Sequence, residues 1–117
     1  INSNTAGHPE PELLPGVEVC SGPLGQGIAM AVGLAIASKK VANLVNTKSC
    51  KLINNRTYCL FGDGCFQEGI SYEALSIAGR LKLNNLIMIY DSNMIQLDGK
   101  VSETTNVDVK KYFHALG

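Results

Sequence analysis

Neither sign of charge dominates this chain. Ten basic residues balance ten acidic ones over 117 residues, the formal net charge is +0, and no stripe of Lys and Arg runs along it. A nucleic-acid partner is therefore disfavoured, because affinity for phosphate backbones rests on such a stripe. No run of eighteen apolar residues occurs, which argues against a membrane span. With Pro 4 and Gly 12 the bias is too small for a collagen-like or low-complexity chain, and a 45% hydrophobic fraction argues against disorder. The leading Ile1-Asn2-Ser3-Asn4 has no initiator Met, no basic lead and no apolar core, so it does not read as a signal peptide. The length allows one domain at most. Beginning on Ile1 and stopping at Gly117, straight after a helical pattern, the chain is expected to be a fragment that works with other segments.

Metal and thiol patterns are equally thin. Cys20, Cys50, Cys59 and Cys65 form no C-x-x-C, and His8 and His114 stand at opposite ends, so the sequence has no zinc-site spacing. Cys59 in an apolar run and Cys65 in a tight turn read as free thiols in a reducing compartment. Asn55-Arg56-Thr57 matches the glycosylation acceptor pattern, but nothing else points to secretion. The phosphate loop G-x-x-x-x-G-K-S/T and the G-x-S-x-G elbow are both missing. Gly22, Gly25 and Gly27 run G-x-x-G-x-G, the wrong order for a dinucleotide fingerprint.

What is present is an alternation of helix and strand. Residues 1–23 are dense in turn formers and read as an irregular lead. From Leu24 to Val45, Ile28, Val32, Ala35, Ile36 and Ala42 recur at helical spacing, predicting a buried helix. Residues 46–56 are polar and loop-like. Thr57-Tyr58-Cys59-Leu60-Phe61 predicts a short strand, and a helix follows from Phe66 to Leu83 with Ile70, Ala74, Ile77, Ala78 and Leu81 on one face. Leu86-Ile87-Met88-Ile89-Tyr90 predicts a strand covered on both faces. A last helix runs from about Val107 to Leu116. The fold class is α/β, a parallel sheet flanked by helices, because strand–helix–strand over about thirty residues is one βαβ unit.

Such a unit sends both strands the same way, so the residues after each strand meet at its carboxyl edge. Asp63 follows the first strand and Asn93 the second, thirty residues later. A carboxylate and an amide oxygen there suit Mg²⁺ or Ca²⁺, and Mg²⁺ commonly shares its site with phosphates. Gly62 and Gly64 flank Asp63, allowing a sharp turn and a close approach to a ligand, with helix N–H groups facing a diphosphate. The plainer alternative is a Gly-Asp-Gly hairpin turn and an unrelated Asp-Ser-Asn turn.

Gly62-Asp63-Gly64, then a helix, a strand and Asn93, resembles the thiamine diphosphate-binding signature. Together with Gly7-His8-Pro9-Glu10, Pro15-Gly16-Val17-Glu18-Val19, Gly22-Pro23-Leu24-Gly25-Gln26-Gly27 and Gly62 to Gly69, it resembles the transketolase family from about Gly7 to Gly117. The resemblance implies that residues 1–117 are part of the N-terminal thiamine diphosphate-binding (pyrophosphate) domain, the remaining domains being absent. It implies a divalent ion (Mg²⁺ or Ca²⁺) on Asp63, Asn93 and the carbonyl of Ile95, and the cofactor on Gly22, Leu24, Gly62, Asp63, Gly64 and Asn93. Gly64 would give its N–H to the diphosphate, Gly22 would meet the aminopyrimidine, and Leu24 would hold the cofactor bent. His8 would bind a hydroxyl of the sugar-phosphate donor, and Glu68 and Glu73 would sit at the interface of a homodimer whose active sites lie between subunits.

The activity so implied is two-carbon ketol transfer from a ketose phosphate to an aldose phosphate through a covalent cofactor adduct. It would serve the pentose phosphate pathway, in the cytoplasm, with a plastid or other organelle left open. Each residue also has a plainer reading: Leu24 as core, His8 as a solvated turn residue, Glu68 and Glu73 as first-turn acids favouring the helix dipole. Alternatives in function are dihydroxyacetone synthase or deoxyxylulose-phosphate synthase, or a non-catalytic cofactor-binding dimerisation module. Gly7-His8-Pro9-Glu10 disfavours the deoxyxylulose-phosphate enzyme. Ser21 and Ser92 replace a Thr and a second acid common in the family, and Cys20 is unusual there. The family's glutamate that activates the aminopyrimidine is not in this chain, so the fragment alone is expected to be inactive.

Overall fold

Small residues set the centre of the molecule. In a computed structural model describing residues 4–117, Ile28, Ala31, Val32 and Ala35 form the buried stripe of α1 (Gln26–Val45). Alanines on that stripe let the helix lie close to its neighbours. The remaining elements are β1 (Thr57–Gly62), α2 (Asp63–Gln67), α3 (Gly69–Arg80), β2 (Leu86–Asp91), β3 (Ile95–Gln96), β4 (Gly99–Lys100), a short 3₁₀ turn (Val101–Glu103) and α4 (Val109–Leu116). The lead to residue 23 is free of helix and strand over its described part; Ile1, Asn2 and Ser3 lie outside the described residues.

β1 and β2 pair in parallel, Thr57 with Leu86 through Gly62 with Asp91. Side chains alternate across a strand, so Cys59 and Phe61 face the same way as their register partners Met88 and Tyr90, toward the helices. Phe61 stacks on Tyr90 with ring centroids 5.3 Å apart, and Phe66 meets Tyr112 of α4 edge-on at 5.4 Å. The opposite face is open: Tyr58, Leu60 and Ile89 are 63%, 73% and 48% exposed. Among the described residues, the covering expected on both faces of β2 is thus found on one face only. The shortest extent, 18 Å, is that of two layers rather than three.

Three further expectations are corrected and a fourth is qualified. First, α1 begins at Gln26, not Leu24, because Gly25 is left-handed (φ 81) and caps the helix from outside. Second, the helix expected from Phe66 to Leu83 is two helices, broken at an extended Glu68 (ψ 139). Ser71, fully buried, bridges that break by donating its hydroxyl to the Cys65 carbonyl at 2.5 Å. Third, α3 buries Ser71, Ala74 and Leu75, whereas Ile70, Ile77 and Leu81 are exposed. Apolar residues lie on more than one face of this helix, and the buried face carries the small Ser71 and Ala74 beside Leu75, with Ser71 close against Gly25 at the start of α1.

Fourth, α1 is long and apolar enough, by length and composition, to cross a membrane, which counting unbroken apolar runs overlooks. Here its buried stripe packs in the core, and Lys39 donates to the Lys82 carbonyl at 3.0 Å. It is a core helix of an α/β layer.

Candidate functional site

Two strands in register end side by side, so the chain leaves both at one edge. Asp63 opens α2 directly after β1 and is 3% exposed. The junction is a strand running into a helix, which excludes the hairpin-turn alternative. Asp63 Oδ2 accepts the backbone N–H groups of Asn93, at 3.1 Å, and Met94, at 2.9 Å. Its Oδ1 accepts the Tyr90 hydroxyl. The two loops predicted to converge are therefore joined through this carboxylate.

Asn93 is exposed, and its amide is turned to local partners. Oδ1 accepts the Ile95 N–H at 3.0 Å and Nδ2 donates to Asp91 Oδ2 at 3.4 Å. Ile95 opens β3, which pairs with β4 through Ile95–Lys100 and Gln96–Gly99. Met94 and Leu97 adopt left-handed backbone (φ 65 and 44), folding this hairpin tightly against the edge.

The donor set fits a hard cation. Asp63 is a buried carboxylate, and among the described residues the one ion pair is Lys111 with Asp108, so no side-chain cation neutralises it. A carboxylate oxygen has two lone pairs and an amide oxygen two. Oδ2 of Asp63 is filled by its two N–H donors, leaving one lone pair on its Oδ1 and one on Asn93 Oδ1. Oxygen donors of this kind match Mg²⁺ or Ca²⁺. Among the described residues no three His, Cys, Asp or Glu converge, so softer ligands are not gathered anywhere. Tyr90 is affected in turn: burial first, then the bond to and charge of Asp63, push its hydroxyl up to about 12.

Gly62 and Gly64 act differently from the sharp turn expected of them. Neither has positive φ. Gly64 lies within α2, where a Cβ would come within 3.4 Å of Leu24 Cδ1 and 3.7 Å of Gln96 Cβ. Leu24, Gly64, Glu68 and Gln96 thereby share a cavity of about 400 Å³. Gly22 is pressed against His8: an added Cβ would stand 2.6 Å from His8 Cγ. Gly25 is constrained twice, by its left-handed backbone and by Glu68, whose Cβ would be 2.6 Å away.

The structure thus joins Asp63 to Asn93, Leu24 to Gly64, and His8 to Gly22. It does not bring Glu73 to the cavity that Glu68 lines; Glu73 stands exposed on α3. Sequence reading missed Tyr90, although period-two alternation from Met88 and its strand-end position place its hydroxyl at the edge. It also missed Gln67, Gln96 and Thr104, which join across 29 and 37 residues with no local signal.

This is an α/β protein with a buried carboxylate at the carboxyl edge of a parallel sheet and, at the start of the following helix, a cavity lined by Leu24, Gly64 and Gln96. The family described as "Transketolase, thiamine diphosphate binding domain" matches residues 1–117. The chain belongs to that family.

It is 55% identical over its whole length to transketolase 1 of Saccharomyces cerevisiae and 50% identical to a transketolase of Dictyostelium discoideum. It covers 17% and 18% of those proteins. Among solved structures it is similar to transketolase from Leishmania mexicana (TM-score 0.93, 49% identity), covering 99% of this chain and 17% of that one. Transketolase from Campylobacter jejuni matches with TM-score 0.88 and 54% identity over 100% of this chain and 18% of its own.

Proposed function

We propose that this chain is the metal- and diphosphate-holding part of the N-terminal domain of a transketolase. The enzyme would move a two-carbon ketol unit from a ketose phosphate to an aldose phosphate in the pentose phosphate pathway. The observation that carries the reading is Asp63, a buried carboxylate with no cationic partner among the described residues, gripped by the backbone of the loop that contains Asn93. Names of relatives at about half identity support it.

Asp63, Asn93 and the Ile95 carbonyl would hold Mg²⁺ or Ca²⁺. Gly62 and Gly64 would let the diphosphate approach the start of α2, and Gly64 would donate its N–H. Gly22 would meet the aminopyrimidine through its backbone, and Leu24 would press on the cofactor from the cavity floor. When bound, thiamine diphosphate supplies the carbanion chemistry, so no Ser or Cys nucleophile is required of the chain. His8, held against Gly22, would bind a donor hydroxyl. Glu68 and Glu73 would meet a second subunit in a homodimer located in the cytoplasm.

The test is an assay of the full-length protein with a ketose phosphate donor and either an aldose phosphate or formaldehyde as acceptor. Transfer to the aldose phosphate that requires thiamine diphosphate and Mg²⁺ supports the reading; transfer confined to formaldehyde supports a dihydroxyacetone synthase instead. His8→Ala should raise the donor KM and leave cofactor affinity unchanged.

A further inference from the structure

The hairpin formed by β3 and β4 has little to hold it by packing. Only two residue pairs join its strands, and Met94, Ile95 and Leu97 are 57%, 52% and 90% exposed. Polar contacts from α2 fix it instead. Asp63 and Gln67 are four residues apart, one turn of helix, and so share a face. Asp63 takes the root of the hairpin through the N–H groups of Asn93 and Met94. Gln67 takes its strand: Gln67 Nε2 donates to Gln96 Oε1.

The bond from Gln67 is one side of a closed ring. Gln96 Nε2 donates to Thr104 Oγ1 at 2.5 Å, and Thr104 Oγ1 donates to Gln67 Oε1 at 2.9 Å. The Val101 carbonyl is a rival acceptor for the Thr104 proton at 3.1 Å. That carbonyl already accepts the N–H groups of Thr104 and Thr105 at 3.1 and 3.0 Å, which fills its two lone pairs. The hydroxyl proton is therefore free for Gln67, and each of the three side chains donates once and accepts once. Such a ring has one geometry, since turning any member breaks two bonds.

The geometry points to Gln67, with Gln96 and Thr104, as a positioning device that sets where Ile95 presents its carbonyl. Resting on the cation reading above, the device acts on metal affinity: Gln96 is the neighbour of Ile95 in β3, and Asp63 and Gln67 hold the hairpin on both sides of it. Ligand supports outside the coordination sphere are commonly worth roughly 10- to 100-fold in metal affinity.

The test uses full-length protein freed of metal, titrated with Ca²⁺ at saturating thiamine diphosphate, with cofactor retention as the readout and unfolding of the metal-free protein measured alongside. Gln67→Ala and Thr104→Val, the latter keeping side-chain shape, should each raise the Ca²⁺ half-point by roughly tenfold or more. Thr104→Ser, which keeps the hydroxyl, should match the parent, and metal-free unfolding of the Thr104 variants should be unmoved. Parental Ca²⁺ half-points for both Gln67→Ala and Thr104→Val overturn the inference. So does an equal loss in Thr104→Ser, since the ring would then be irrelevant. Asp63→Asn separates the two levels: if it keeps the parental Ca²⁺ dependence, the cation reading fails; if it alone loses it, only the positioning role fails.

Discussion

Tyr90 ends the core-facing side of β2 and gives its hydroxyl to Asp63, the first residue beyond the paired β1. The bond ties one strand to the helix start that follows the other, and it supplies a buried carboxylate with a donor that burial would otherwise deny it. Removing one partner of such a bond leaves the other desolvated and unmatched.

Tyr90→Phe should therefore destabilise the protein by about 1.5–3 kcal/mol, the range for a hydrogen bond to a charged group. Urea unfolding at neutral pH measures it. A variant as stable as the parent would mean that Asp63 does not depend on this donor.

The same bond has a pH signature. Tyr90 titrates at about 12 in the folded protein against an ordinary 10.0, with burial the largest cause. A raised folded-state value means that the stability linked to Tyr90 is fully present below pH 10 and is lost as pH rises through about 12. Phenolate absorbance should show a late-titrating tyrosine that Tyr90→Phe removes. Tyr112, also raised by burial, is a second late group and remains in that variant.

Gly25 and Gly33 should respond to alanine with opposite signs. Gly25 has φ 81 and an added Cβ would meet Glu68 Cβ at 2.6 Å, so Gly25→Ala combines strain with overpacking. Together these cost about 2–4 kcal/mol. Gly33, exposed in α1 with nothing within 4 Å of an added Cβ, should gain about 0.5–1 kcal/mol from better helix propensity. Thermal unfolding of the two variants checks both signs.

Leu24→Ala separates a cofactor contact from a core contact. Leu24 is 38% exposed, so its loss should cost the fold less than about 1.5 kcal/mol. Thiamine diphosphate affinity of the full-length protein should nonetheless fall by roughly tenfold, about 1.4 kcal/mol. A stability loss with unchanged affinity would return Leu24 to the core.

The extent to which these features were legible follows the range of the forces that set them. Asp63 and Asn93 could be brought together from spacing, because a parallel pair with one crossover helix dictates which loops share an edge. α1 was legible from Ile28, Val32 and Ala35 for the same reason: a periodic stripe needs no knowledge of its partner. The break at Glu68 was not, since it coincides with the approach of Gly25 from a segment more than forty residues earlier. The burying face of α3 was misread because Ile70 and Ile77 outweigh Ser71 by hydrophobicity, while close packing selected the smaller residue. The β3–β4 hairpin carried the short-range cue of Asp98-Gly99, but with two paired positions it lacks an alternating pattern. Its attachment through Gln67, Gln96 and Thr104 is wholly non-local.

The most direct test of the central claim is calorimetric titration of full-length protein with thiamine diphosphate, with and without Mg²⁺, for the parent and Asp63→Ala. The parent should bind the cofactor far more tightly when Mg²⁺ is present, and Asp63→Ala should erase that difference while remaining folded. Equal enhancement by Mg²⁺ in both proteins would contradict the account.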